Sequence, residues 1–169
     1  MKKLLIAAIL VSLTVGLYAQ TRTPVQLPST VRTAWQKPVR YTVTAPNILQ
    51  VRGTAADMDG IFLRDIPYNG QQKLIITIRS MSGRFPWDQG KMFGVKVATP
   101  PTNPNLNDTS GWLEAPGRAV LDRMIDGPFA VGDEVVLQLP ADVIAKPGTI
   151  NIGMTMFCGA TFEIAFWFE

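Results

Sequence analysis

Histidine is missing from this 169-residue sequence, and cysteine occurs once, at Cys158. Without histidine there is no Ser-His-Asp or Cys-His relay, no imidazole-ligated zinc and no histidine general base. Cys158 has no partner within the chain and falls on the apolar side of its stretch, where it reads as a small buried hydrophobe. A domain with no disulfides must rely on its core. Clusters of Lys and Arg are also missing, which removes the usual means of tracking phosphates or anionic lipid, so no nucleic-acid partner is expected. Thirteen acidic residues are present. Their spacing singles out no two of them as an acid/base pair, and the chain is read as non-catalytic.

One long apolar run exists, from Leu4 to Leu17, preceded by Lys2 and Lys3 and followed by Tyr18-Ala19-Gln20. It is too short for a membrane span and has the layout of an export signal, with Ala19 the last residue removed. The expected product is periplasmic or extracellular, with no membrane span after signal removal. Lys2 and Lys3 leave with the signal, so of 16 basic residues 14 remain against 13 acidic ones, a balance of +1. The expected organisation is a signal at 1–19, an extended and tether-like segment at 20–38 with prolines at 24, 28 and 38, and one domain at 39–169.

What is present is alternation. Across the final stretch the even positions Ile150, Ile152, Met154, Met156, Cys158, Phe162, Ile164, Phe166 and Phe168 are apolar, whereas Asn151, Thr155, Glu163 and Glu169 stand between them. Period two is the mark of half-buried strands. If the two runs are neighbours, a three-residue loop at Gly159-Ala160-Thr161 pairs Cys158 with Phe162, Met156 with Ile164 and Met154 with Phe166, keeping the apolar side chains on one face. Trp167 then lies on the opposite face, across from Gly153, with Phe157 and Ala165. Strands this apolar need a second layer, and further strands are expected at 40–44, 48–52, 60–66, 73–80, 92–99 and 133–139. Leu74, Ile76 and Ile78 oppose Ile75 and Thr77, which marks an interior strand. The stretch 119–125 suits a strand or a helical turn equally, and 142–145 suits one helical turn. The expected fold is all-β, an antiparallel β-sandwich or jelly roll of eight or nine strands.

This strand count, the proline- and asparagine-rich loops, and the run from Phe129 through Gly132-Asp133-Glu134-Val135-Val136-Leu137-Gln138-Leu139 to a final aromatic strand resemble the galactose-binding-type jelly roll. Many non-catalytic carbohydrate-binding modules share that architecture. The similarity spans roughly 39–169 and rests on pattern, with no diagnostic motif. It implies sugar held on aromatic platforms, on a sheet face or at loop tips, and in many members a structural calcium. The chain is also similar in kind to the exported jelly-roll sheath proteins of spirochaete periplasmic flagella.

Three groups of side chains are candidates for binding. Trp87 stands with Arg84, Asp88 and Gln89 in one loop, and Trp112 with Asn107 in another; a flat ring flanked by hydrogen-bonding groups suits a pyranose, and a tryptophan capping the end of the core is the structural alternative. Trp167, Phe157 and Trp35 are candidates for protein contact, with envelope proteins as the partners, and Trp167 also for a sugar platform. Asp57-Met58-Asp59-Gly60 has the opening spacing of a calcium loop without the later ligands, so Asp57 and Asp59 are either solvated acids in a turn or part of a calcium site. The expected partner is a glycan or another extended polar ligand.

Overall fold

The alternating runs form two antiparallel sheets in a computed structural model that describes residues 21–28, 32–33, 39–53, 60–83, 93–99, 120–125, 129–155 and 159–169. The six-stranded sheet has the order β3 (Arg40–Ala45), β4 (Ile48–Arg52), β11 (Thr161–Phe168), β6 (Lys73–Ser82), β9 (Glu134–Gln138), with the two-residue β1 (Thr23–Pro24) also paired to β11. The five-stranded sheet has the order β2 (Arg32–Thr33), β5 (Gly60–Tyr68), β10 (Gly148–Thr155), β7 (Phe93–Ala98), β8 (Val120–Ile125). The fold is thus an all-β sandwich. Among the described residues its one helix is α1 (Ala141–Ile144), a single turn that buries Val143.

The core lies between the sheets. Leu49, Val51, Leu74, Ile76, Ile78, Phe162, Ile164 and Phe166 from the first meet Ile61, Leu63, Ile66, Val95, Val97, Ile150, Ile152 and Met154 from the second, all fully buried. Side chains two residues apart along a strand share a face, so each of these runs faces inward as a unit. Tyr68 of β5 and Phe168 of β11 touch across the layers, ring centroids 5.5 Å apart and edge to face at 64°. Burial pushes the Tyr68 phenol up, and its hydroxyl donates to the Gln71 carbonyl at 2.6 Å.

The final two strands are not the hairpin that their pattern suggests. β10 pairs with β5 and β7 in one sheet, β11 with β4 and β6 in the other, so the pairing Met154–Phe166 does not form, and Met156 and Cys158 lie outside the described residues. Alternation dictates which side chains face the core, and an arch from sheet to sheet satisfies it as well as a hairpin does. Opposite Gly153 stands Phe62, and Trp167 is instead aligned with Ile75 and Pro24. Stretch 119–125 takes the strand alternative, as β8.

Two local devices fix the edges of this frame. Residues 21–28 run along the sandwich: Val25 is fully buried, its N–H donates to the Phe166 carbonyl at 3.1 Å, and the Leu27 N–H donates to the Pro46 carbonyl at 2.8 Å. The β3–β4 turn at Pro46-Asn47 is held from its other side, since Phe166 N–H donates to the Asn47 carbonyl at 3.0 Å. In β5 the ladder shifts between Ile66 and Leu63, and Asp65 adopts φ 56°. Its N–H leaves the ladder and is taken by the Asn151 Oδ1 at 2.9 Å, which gives a buried polar side chain its partner.

Candidate functional site

Because Phe162, Ile164, Phe166 and Phe168 face inward, Thr161, Glu163, Ala165 and Trp167 of β11 lie on the outer face of the six-stranded sheet. That face is polar at one end and partly apolar at the other, and carries two shallow concavities. The first, about 350 Å³, is lined by Arg22, Thr77, Arg79, Glu134, Ala165 and Trp167. The second, about 300 Å³, is lined by Arg40, Tyr41, Thr42, Gln50, Arg52 and Thr161. Both touch β11, at opposite ends; six residue steps separate Thr161 from Trp167, or about 20 Å of strand.

Trp167 is half-buried, with Ala165 beside it fully covered. The strand register sets it in an apolar row, Pro24–Trp167–Ile75–Val136, crossing β1, β11, β6 and β9. Ile75 is buried and Val136 is 54% exposed, so the row opens toward the β9 edge. Beside the row runs a bridge: Arg22 Nη1 and Nη2 donate to Glu134 Oε1 and Oε2 at 2.5 and 2.9 Å, spanning from the β1 side to β9. The two hydrogen bonds from Arg22 pull the Glu134 carboxyl below the usual carboxylate range and hold the guanidinium above its usual value. With the side chains 41% and 32% exposed, the pair orients two groups at the rim of the concavity more than it stabilises the fold.

Every described carboxylate on this face is engaged. Glu134 holds Arg22, Glu163 pairs with Arg79 at 3.1 Å, and Glu169 pairs with Lys73 at 2.8 Å. At the other end, Arg40 and Arg52 are direct cross-strand partners on β3 and β4, both exposed, and neither side chain has an ion pair or hydrogen bond among the described residues.

Of the residues singled out from sequence, Trp167 alone lies within the described structure, half-exposed on a sheet face as its phase predicts. Trp35, Asp57, Asp59, Arg84, Trp87, Asp88, Gln89, Asn107, Trp112 and Phe157 lie outside the described residues. Sequence reasoning missed Arg22, Glu134, Arg40, Gln50 and Arg52. For the last three a signal existed: matching Tyr41 and Val43 to Val51 and Leu49 across the Pro46-Asn47 turn forces Arg40 opposite Arg52 and Thr42 opposite Gln50. Among the described residues no group of three or more acidic or thiol side chains suits a metal ion, and no helix is long and apolar enough to cross a membrane. The chain matches no protein-family model and no curated protein.

Proposed function

We propose that this protein is an exported, non-catalytic domain of the bacterial periplasm or cell exterior that binds an extended glycan along the outer face of its six-stranded sheet. The observation that carries the reading is Trp167, a half-exposed indole at the side of an open concavity whose other walls are Thr77, Arg79, Glu134 and Arg22. A pyranose presents an apolar C–H face that stacks on such a ring, and hydroxyls that need donors and acceptors around it. The resemblance in pattern to galactose-binding-type jelly rolls, which implies sugars held on aromatics of a sheet face or at loop tips, points the same way. Calorimetric titration against a panel of bacterial and host oligosaccharides is the test. Trp167→Ala should weaken the best ligand by about 2- to 12-fold, the equivalent of 0.5–1.5 kcal/mol of stacking, with the fold intact. If no oligosaccharide in the panel binds, the glycan reading fails.

The Pro24–Trp167–Ile75–Val136 row supports a second reading, a structural subunit of an envelope or periplasmic assembly such as a flagellar sheath, in which this row meets another protein. Sedimentation over a concentration series separates the two: assembly that Trp167→Ala and Val136→Ser abolish, without glycan binding, favours the second.

A further inference from the structure

The Arg40–Arg52 pair has no structural employment among the described residues. Like charges placed directly opposite on adjacent strands, with Cβ atoms about 5 Å apart, destabilise a sheet. Here no described carboxylate offsets them, since Glu163, the nearest along β11, is turned to Arg79 on the far side of its strand. Around the pair stand neutral hydrogen-bonding groups, Thr42 and Gln50 in register on β3 and β4 and Thr161 across from Arg52 on β11. Together they line the 300 Å³ concavity. Two adjacent planar guanidinium groups, each able to give paired N–H bonds, match the two or three oxygens of a carboxylate or sulfate.

We infer that Arg40 and Arg52, with Gln50, Thr42 and Thr161, form a subsite for an oxyanion substituent, and that the glycan taken by this face is acidic. The inference rests on the glycan reading above and narrows its substrate class. Its ligand lies along β11, one acidic sugar at the arginine pair and an apolar sugar face at Trp167, about 20 Å away by the strand rise. A structural alternative exists, that the arginines merely blunt the β3 edge against pairing with other chains.

The experiment titrates the full exported chain with a uronic-acid oligosaccharide, with the same oligosaccharide after its carboxyls are reduced to alcohols, with a sulfated oligosaccharide, and with free galacturonate and inorganic sulfate. The acidic oligosaccharide should bind about 10-fold or more tightly than its reduced form, as expected for hydrogen bonds to a charged group, and that advantage should shrink with added salt. Arg52→Gln and Arg40→Gln should remove most of the advantage, lowering affinity for the acidic form far more than for the reduced form; a preference for the uronate or for the sulfated ligand identifies which oxyanion the subsite takes. Equal binding of acidic and reduced forms, untouched by either substitution, overturns the subsite and leaves the glycan reading standing. No oligosaccharide binding, with Arg52-dependent binding of galacturonate or sulfate, keeps the subsite and overturns the glycan. If the substitutions alter aggregation alone, the edge-protecting role is the correct one and the inference is wrong.

Discussion

Replacing Asn151 with Val tests the least obvious feature of the sandwich, a polar side chain buried in its five-stranded sheet. Asn151 is 2% exposed, and its Oδ1 accepts the Asp65 N–H at 2.9 Å where β5 bulges. Valine fills nearly the same volume and suits a strand, so cavity and propensity terms are small. What remains is the loss of the acceptor, which strands an amide that the Asp65 φ of 56° has turned away from the ladder. Leaving such a group unpaired costs about 1–3 kcal/mol, or roughly 0.5–1.5 M in urea midpoint for a slope near 2 kcal/mol/M. Equilibrium urea unfolding followed by fluorescence reads the total, and hydrogen exchange at the Asp65 amide reads its cause. An unchanged midpoint together with unchanged protection at Asp65 refutes the reasoning.

The neighbours Phe166 and Trp167 should behave oppositely, because one faces the core and the other the outside. Phe166→Ala should cost about 3–5 kcal/mol in chemical denaturation, and Trp167→Ala less than half of that. Gly83→Ala should destabilise by about 1–3 kcal/mol, since Gly83 has φ 98° and an added Cβ would lie 3.1 Å from the Gly159 carbonyl oxygen; thermal unfolding checks it, and a neutral result contradicts the packing of that bend. The Arg22–Glu134 pair gives a pH-dependent increment. The folded-state Glu134 carboxyl titrates below its unfolded value, so the increment is complete above about pH 4.3 and is lost as pH falls through the lower folded value. The difference in urea midpoint between the wild type and Glu134→Gln should be small at pH 7 for so exposed a pair, and should vanish toward pH 2.

Alternation made the layers legible before any coordinates. The inward sets of β4, β6, β10 and β11 all follow from period two, and the apolar bulk on both faces of 73–80 identified β6 as a strand bonded on both sides. Sheet membership was not legible, because Ile150, Ile152 and Met154 need a facing layer whichever sheet supplies it. Nothing in the spacing states that β5, β6 and β7 alternate between sheets, or that β10 arches over to β11. The expected placement of Trp167 across from Gly153 was wrong, since Gly153 is in register with Phe62, far away in sequence, and Trp167 with Ile75 and Pro24. At the candidate site Trp167 was legible from its phase alone. The arginine pair required a hairpin register, which two pairs of apolar residues supply. The Arg22–Glu134 bridge joins positions 112 residues apart, and no local pattern encodes it.

The most direct measurement is a backbone amide chemical-shift titration of the isotopically labelled chain with a uronic-acid oligosaccharide. The proposed binding face predicts shifts concentrated on β4 and β11, from Ile48–Arg52 and from Thr161–Phe168, spreading to Arg40 and Arg79, with the five-stranded sheet silent. Shifts confined to 84–90 and 100–117, or to the five-stranded sheet, contradict it.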